Sequence, residues 1–414
     1  MEILRRISTV LAEPVESDRL AWIRRGFGLL MVVEVLRYLL FGWVDIYFVQ
    51  PDYHFTYPGF DWVRPLPRMG MMVVFLIMGL SSSALMWGHR VRFAAGIFTL
   101  CFGYIFLIDQ TYYQNHWVLI GWLGLYYTLV GHERDARRWA GLLLRFQVGA
   151  VYAFAGLAKA NADWIAGQPM GIWLALRSEW PLIGPLLGWP PSALAFSWAG
   201  LLFDLAIVPL LCWRKSRRLA FAFAVLFHLG NALLFKIGIF PMLMIVLTTV
   251  FLPLNADKNR FTHDLLPSRI WVILVLWVGF HATVPLRHWA IPGPVAWTEE
   301  GHRFSWRMKT RSKVGRVTFH ALDRGEGKHE VIDPRVELTA HQARKMATRP
   351  EMIRQYALHL AKERATKGSG KWAIHADARA KLNHHPAKTL IDPTVDLVQA
   401  PPSGRGASWI IWED

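Results

Sequence analysis

The chain has 414 residues, of which 53% are hydrophobic, with 21 tryptophans and a mean hydropathy of +0.25. These values exclude an ordinary soluble protein of this size and predict an integral membrane protein that is mainly α-helical. The formal charge of +16 fits membrane anchoring, attraction to anionic lipid head groups or a preference for acidic substrates. Both cysteines, Cys101 and Cys212, lie in apolar segments, so neither a disulfide framework nor a cysteine metal site is indicated.

Long apolar runs recur along the first two thirds of the chain and predict a polytopic helix bundle. A membrane helix needs about 20 apolar residues, and several runs are shorter, so we expect about eight or nine spans, with one run as an alternative re-entrant piece. No cleavable signal pattern precedes the first run. Glu34 and Arg37, one turn apart, predict an internal ion pair. The runs are 21–41, 71–87, 91–108, 117–130, 142–159, 193–212, 219–235, 237–252 and 270–284.

Basic residues occupy every second connection between these runs. Because cytoplasmic loops are enriched in lysine and arginine, this alternation predicts a cytoplasmic N-terminus. After nine spans the C-terminal region would then lie on the extracytoplasmic side. The basic connections contain His89, Arg90 and Arg92; Arg134, Arg137 and Arg138; Arg214, Lys215, Arg217 and Arg218; and Lys258 with Arg260.

Four ionisable side chains on different runs are predicted in the same half of the membrane: Asp109, His116, Lys159 and His228, with Asn231 one turn beyond His228. A charged group in lipid is costly, so it pairs, loses its proton or faces a polar cavity. Taken singly, Lys159 could be a snorkelling helix-end lysine and each histidine an interfacial or core residue. Their shared depth favours one site, in which Lys159 is a buried amine able to act as a general base.

The segment after residue 287 lacks long apolar runs and predicts a small α+β domain. We therefore divide the chain into a transmembrane helical domain, 1–287, and an extracytoplasmic domain, 288–414. Alternation and turn residues predict strands at 315–322, near Glu330 and at 372–380. Helices are predicted at 339–347, capped by Thr339, and at 350–364, with Pro350 at its first position.

Two motifs in this segment are partly similar to ligand-binding motifs, but their spacing does not support ligand binding. The stretch Gly368-Ser369-Gly370-Lys371 is similar to a phosphate-binding loop, but the spacing and the preceding strand are missing. His384 and His385 have no carboxylate or cysteine at metal-ligand spacing, so the sequence predicts no zinc site there.

Three stretches are similar to motifs of one family. Ala155-Gly156-Leu157-Ala158-Lys159-Ala160-Asn161-Ala162-Asp163-Trp164 is similar to AGxKKLDADW, with Lys159 at the second lysine. Residues 109–116 are similar to DKxxxxNH, and 227–240 to FHxxNxxLFxIGxF. The chain therefore resembles the vitamin K-dependent gamma-carboxylases and their horizontally transferred transmembrane relatives, over about residues 21–400. It departs at Ala158 and at Ala160-Asn161. Further landmarks are Trp306, Met308, Ile332-Asp333-Pro334, Gln355-Tyr356-Ala357 and 392–400.

The resemblance implies an enzyme of the carbon–carbon lyase class. It would couple oxygen-dependent epoxidation of a reduced naphthoquinone, vitamin K hydroquinone, to carboxylation of glutamate side chains, with O2 and CO2 as co-substrates and no metal. Its partners would be membrane lipids, the quinone and a glutamate-containing peptide or protein, and no nucleic acid. The implied catalytic residues are Lys159, His116 and His228, and the implied quinone-binding residues are Asn115, Asn231, Asp109, Asp163 and Trp164.

Two alternatives stay open beside this prediction. One is a quinol epoxidase or oxygenase that does not carboxylate glutamate, and the other is a non-catalytic lipid-binding membrane protein of the same fold. The chain ends soon after the last landmark, whereas the animal enzymes continue into a long β-rich region, and it contains no Asn-X-Ser/Thr sequon. Both features favour a bacterial inner membrane over an endoplasmic reticulum.

Overall fold

The computed structural model describes residues 2–15, 18–133, 137–253, 265–367, 371–404 and 406–412. The predicted basic residues Arg134, Lys258 and Arg260 lie outside these ranges, as do Gly368, Ser369 and Gly370 of the stretch that is similar to a phosphate-binding loop. The α-helices are α1 Glu2–Ala12, α2 Asp18–Leu40, α3 Arg68–Trp87, α4 Val91–Ile108, α5 Asn115–Val130, α6 Arg138–Lys159, α7 Ala162–Ile165, α8 Met170–Ala175, α9 Gly184–Gly188, α10 Pro190–Cys212, α11 Arg217–Leu234, α12 Phe240–Thr248, α13 Ser268–Thr283, α14 Val295–Thr298, α15 Ala340–Met346 and α16 Pro350–Lys367.

Six described helices are long and apolar enough to cross a membrane: α3, α4, α6, α10, α11 and α13 with its continuation to Ala290. This is fewer than the eight or nine spans predicted. The physical reason is that three predicted runs form shorter or more charged helices. Helix α2 carries Arg24, Arg25, Glu34 and Arg37, α5 has 16 residues, and α12 with the following turn reaches only Phe251. The prediction of a mainly helical membrane bundle is confirmed, and the predicted span count is too high.

Aromatic side chains fill the centre of the bundle. Tyr38 stacks on Phe75 with ring centroids 5.3 Å apart, and Phe27 meets Phe98 edge to face at 5.5 Å. The outer surfaces of these helices are leucine-rich and exposed, as the apolar surroundings of a membrane permit. The predicted ion pair on α2 is confirmed, since Arg37 Nη1 lies 2.6 Å from Glu34 Oε2.

A second ion pair lies near the N-terminal end of α2. Arg24 is only 2% exposed, and it donates from Nη2 and Nε to the two carboxylate oxygens of Glu133, at 2.7 and 2.8 Å. Burial alone would raise the pKa of Glu133, but the hydrogen bonds from Arg24 hold that pKa below its usual value. Such a two-pronged geometry is the strongest form of this interaction.

Arg24→Ala should therefore lower the free energy of unfolding by about 3–5 kcal/mol, because it leaves a buried carboxylate without its partner. The neighbouring Arg25 is exposed, and Arg25→Ala should change stability by no more than about 0.5 kcal/mol. Thermal and denaturant unfolding in detergent would measure both variants. Equal losses would contradict a stabilising role for the Arg24–Glu133 pair.

The C-terminal region contains a four-stranded antiparallel sheet in the order β2-β1-β3-β4. Its strands are β1 Lys313–Asp323, β2 His329–Ile332, β3 Trp372–Leu382 and β4 Lys388–Thr389. Helices α15 and α16 bury Phe319 of β1 against Tyr356 of α16, with ring centroids 5.3 Å apart. The strands predicted at 315–322, near Glu330 and at 372–380 and both helices are confirmed. Two-residue β4 was not predicted.

The predicted cap at the start of α15 is also confirmed. Thr339 Oγ1 accepts from the backbone N–H of Gln342, and the Gln342 side chain accepts in return from the backbone N–H of Thr339, which is a capping box. Gln342 thereby presents its amide nitrogen to the bundle end formed by α4 and α5.

The C-terminal domain rests on the end of the bundle where α4 ends and α5 begins. The loop between α2 and α3 lies between them: Phe55 is fully buried in the core of the C-terminal domain, while its carbonyl accepts from the backbone N–H of Gln110 at 2.7 Å. Gln355 of α16 donates to the carbonyl of Thr56 at 3.0 Å. The predicted boundary at residue 287 falls in the turn Val284–Ala290 that continues α13, and it stays a prediction.

Candidate functional site

Lys159 is the last residue of α6, and its side chain turns into the bundle. It is 7% exposed, and its Nζ forms an ion pair with Oδ2 of Asp204, which is 5% exposed in the middle of α10. The Nζ atom also lies 3.4 Å from the carbonyl oxygen of Ala155. The geometry is that of a buried pair, whereas a snorkelling lysine would reach out of the bundle.

Asp204 is the site residue that sequence analysis missed. It is the only charged side chain in the run 193–212, and a lone carboxylate in an apolar span is itself a signal of function or pairing. Nothing local connects it to Lys159, since the two residues are 45 positions apart. The pairing depends on how closely α6 and α10 approach.

Gly156 permits that approach. A Cβ atom at this position would lie 2.7 Å from Cδ2 of Leu205 and 3.2 Å from the Leu205 backbone nitrogen, so α10 would have to move away. Gly156 precedes Lys159 by about one turn, and Leu205 follows Asp204 directly. The glycine therefore sets the helix spacing at which the lysine reaches the carboxylate.

Trp164 covers the lysine from the turn after α6. Its ring centroid is 5.4 Å from Lys159 Nζ, and its Nε1 donates to the carbonyl of Ser197 on α10 at 2.7 Å. Asn161 positions this turn, because its side-chain oxygen caps the short helix α7 by accepting from the Trp164 backbone N–H at 3.0 Å. Trp164 thus makes a cation–π contact with Lys159, and its predicted role in quinone binding stays a prediction.

His228 of α11 meets Tyr152, which lies on α6 about two turns before Lys159. The Tyr152 hydroxyl is 2.7 Å from His228 Nε2 and 2.9 Å from Thr248 Oγ1 of α12. The other ring nitrogen of His228, Nδ1, is buried and has no hydrogen-bond partner among the described residues. A buried ring nitrogen without a partner is costly, and a hydrogen bond to a water or a ligand would remove that cost.

His116, at the start of α5, shares one aromatic neighbour with His228, which is Phe240. The ring of Phe240 is 5.7 Å from the His116 ring and 6.4 Å from the His228 ring, measured between centroids. His116 also lines a cavity of about 30 Å³ together with Glu34 and Tyr38. A cavity of this volume has room for about one water molecule and not for two fused rings.

Two of the predicted quinone-binding residues, Asp109 and Asp163, contact the C-terminal domain. Asp109 accepts from Gln342 Nε2 of α15 at 3.0 Å and from the Thr111 backbone N–H at 2.8 Å, and its Oδ2 lies 3.3 Å from His54 Nδ1. Asp163 accepts from Asn383 Nδ2 in the turn after β3 at 2.6 Å. Both carboxylates connect the bundle to the second domain.

The two predicted asparagines lie at helix ends. Asn115 accepts through Oδ1 from the Tyr113 hydroxyl at 3.0 Å, and that hydroxyl accepts from the backbone N–H of Phe304 at 2.6 Å. Asn231 is half-buried near the end of α11, where its carbonyl accepts from the Phe235 backbone N–H at 2.9 Å. Their assignment to quinone binding stays a prediction, as does that of Asp109 and Asp163.

Asp109→Ala offers a way to separate a structural role from a binding role. The change leaves the Thr111 backbone N–H without its acceptor, while Gln342 Nε2 keeps only its bond to the Tyr53 carbonyl, so we expect a loss of about 1–3 kcal/mol in the free energy of unfolding. Asp52→Ala, which removes an exposed carboxylate from the loop between α2 and α3, is the comparison. If the stability of Asp109→Ala is unchanged while quinone affinity falls, the structural role is contradicted.

Residues 12–255 match the family model of the HTTM domain, and residues 267–413 match the model of the vitamin K-dependent gamma-carboxylase, lumenal domain. No solved structure matches the chain.

Proposed function

Because the chain belongs to the vitamin K-dependent gamma-carboxylase family, we propose that it epoxidises a reduced naphthoquinone with O2 and couples this oxidation to the carboxylation of glutamate side chains. The observation that carries the proposal is the buried Lys159–Asp204 pair, about two turns along α6 from the Tyr152–His228 pair. A reduced naphthoquinone is a weak acid that dissolves in the membrane, and it could give its proton to an amine or an imidazole in this water-poor bundle.

The residues around this site are chemically suited to a naphthoquinone. A flat ring system with two oxygens needs aromatic or apolar walls and a few hydrogen-bonding groups, which Phe240, His116 and the unpartnered Nδ1 of His228 provide. When bound, the reduced quinone would supply the electrons for oxygen and, through that oxidation, the strong base needed to remove a glutamate γ proton. Since the cavity beside His116 is about 30 Å³, side chains must move to admit the rings.

Lys159 is proposed to be the general base. Transfer of a proton from its ammonium group to the Asp204 carboxylate would leave two neutral partners in place of an ion pair, so no isolated charge forms in the bundle. The neutral amine could then accept a proton from an acidic hydroxyl. Trp164, whose ring covers the amine, would keep water from it.

His228 and His116 are proposed to hold the quinone oxygens. The Tyr152 hydroxyl bonds to one ring nitrogen of His228 and fixes the ring, so that Nδ1 remains for a ligand. His116 would contact the same ligand from the other side of Phe240. Asn115, Asn231, Asp109 and Asp163 belong to the proposed site on the family motif alone.

The C-terminal domain is proposed to lie on the extracytoplasmic side and to cover the site. With a cytoplasmic N-terminus this side requires that α2, α5 and α12 also cross the membrane, which gives the odd number of spans that the alternating basic connections predict. The contacts of this domain with Asp163, four residues after Lys159, support its position over the site. A reporter that is active only in the cytoplasm, fused after Asp414, should be silent. A reporter fused to the N-terminus should be active, and the opposite pattern would contradict this topology.

The function is tested with purified protein in nanodiscs, supplied with reduced vitamin K, O2 and labelled CO2, with and without a glutamate-containing peptide. We expect epoxide in the presence of the peptide and label in its glutamate side chains. Epoxide without label would instead support the quinol epoxidase, and quinone binding without either product would support a lipid-binding protein.

A further inference from the structure

The exposed histidines His384 and His385 lie beside a carboxylate from the other domain. They occupy the turn after β3, with ring centroids 4.3 Å apart, and His385 Nε2 is 2.8 Å from Oδ1 of Asp163. One ligand-type atom from each of the three residues lies within 4.8 Å of the other two. Sequence spacing predicted no zinc site here because the third group is 221 positions or more away in the chain.

We propose that Asp163, His384 and His385 bind a divalent transition-metal ion, with Zn²⁺ the best match. Imidazole nitrogens and one carboxylate oxygen are a common zinc donor set, and three protein ligands leave a fourth position for water. At bond lengths of about 2.1 Å, two ligands of a tetrahedral ion are about 3.4 Å apart. The His385–Asp163 contact of 2.8 Å must therefore widen by about 0.6 Å for both atoms to bind the ion.

The carboxylate is already oriented for this role. Asn383 is 4% exposed and has a φ of +50°, a left-handed conformation that asparagine tolerates better than most residues. Its Nδ2 donates to Oδ2 of Asp163 at 2.6 Å, and its Oδ1 accepts from the Ser312 backbone N–H at 2.8 Å. Hydrogen bonds of this kind orient a metal-binding carboxylate, and here they leave Oδ1 directed at the histidines.

The described residues contain a second cluster of this kind, Glu337, His359 and Glu363, which is less suited. Glu337 Oε2 already accepts a short hydrogen bond from the Tyr356 hydroxyl, at 2.6 Å. The Asp163 cluster also has a specific consequence. It spans the two domains, so an ion there would fasten the turn after β3 to the turn after α6.

The site is tested on the full chain, purified with a tag that contains no histidine and treated with a chelator. Titration with Co²⁺, followed by its visible absorption, and displacement by Zn²⁺ should show one ion bound per chain. His384→Ala and His385→Ala should each weaken binding by about 100-fold or more, because loss of even a supporting residue around a metal costs about 10- to 100-fold.

The matched control is the double variant His320→Ala/His329→Ala. These two histidines also stack in the C-terminal domain, with ring nitrogens 3.3 Å apart, but they belong to neither of the clusters found among the described residues. The control should bind the ion like the unaltered chain. Zn²⁺ should raise the melting temperatures of the unaltered chain and of the control, and it should leave the melting temperature of His384→Ala unchanged.

Melting temperatures without metal show whether each variant is folded, and this readout does not depend on quinone chemistry. Full-strength binding by His384→Ala and His385→Ala, loss of binding in the control, or no Co²⁺ bound at all would each overturn the assignment.

Discussion

Lys159→Ala is expected to lower the rate of epoxide formation by about 100- to 10,000-fold, the range that a positioned general base contributes. The variant should still bind the quinone, because the groups proposed to hold the ring are on α5, α11 and α12. Epoxide formation would be followed by chromatography, and quinone affinity by fluorescence quenching of the tryptophans. The physical reason is that alanine removes the proposed proton acceptor at the end of α6.

The control is Lys215→Ala, which removes an exposed lysine in the turn between α10 and α11. Its rate should equal that of the unaltered chain. If Lys159→Ala retains the full rate, Lys159 is not the base. If it loses the rate together with quinone binding, the residue holds the pocket open and the proposed role in proton transfer is wrong.

The second large effect is expected on stability. Asp204→Ala leaves the Lys159 ammonium buried without its partner and should lower the free energy of unfolding by about 3–5 kcal/mol. The double variant Lys159→Met/Asp204→Leu replaces the pair with apolar groups of similar length. It should recover most of that loss, because neither charge then has to be kept out of water.

Unfolding in detergent would be measured for Lys159→Met, Asp204→Leu and the double variant, so that the coupling energy is obtained from the full cycle. Glu179→Ala, which removes an exposed carboxylate, is the comparison and should change stability little. Additive losses across the cycle would contradict an interaction between Lys159 and Asp204. The double variant should also be inactive, whatever its stability.

The C-terminal elements could be predicted from the sequence because their signals are local. Alternating residues in 315–322 and 372–380, the cap at Thr339 and Pro350 at the first position of α16 each depend on a few neighbouring positions. The Glu34–Arg37 pair was predictable for the same reason, since one helical turn separates its members.

The partner of Lys159 could not be predicted, because it lies on another helix and the contact depends on the small size of Gly156. The contact between Asp163 and His385 could not be predicted either, because the two residues are 222 positions apart in the chain. The span count was too high because α2 carries charges within its apolar run, and because hydropathy does not locate the ends of α5 and α12, which have 16 and 9 residues. Local patterns thus predicted the helices and strands, whereas contacts between distant segments could be seen only in the structure.

The position of Phe55 has a consequence for how the two halves of this protein can be produced. This side chain belongs to the bundle portion of the chain but fills the interior of the C-terminal domain, against Tyr53 and Tyr356. A fragment that starts at residue 288 would fold around a vacant space, and a fragment that stops there would expose a bare phenylalanine. Each half therefore supplies a piece of the other, and the two should express well only as one polypeptide or when synthesised together.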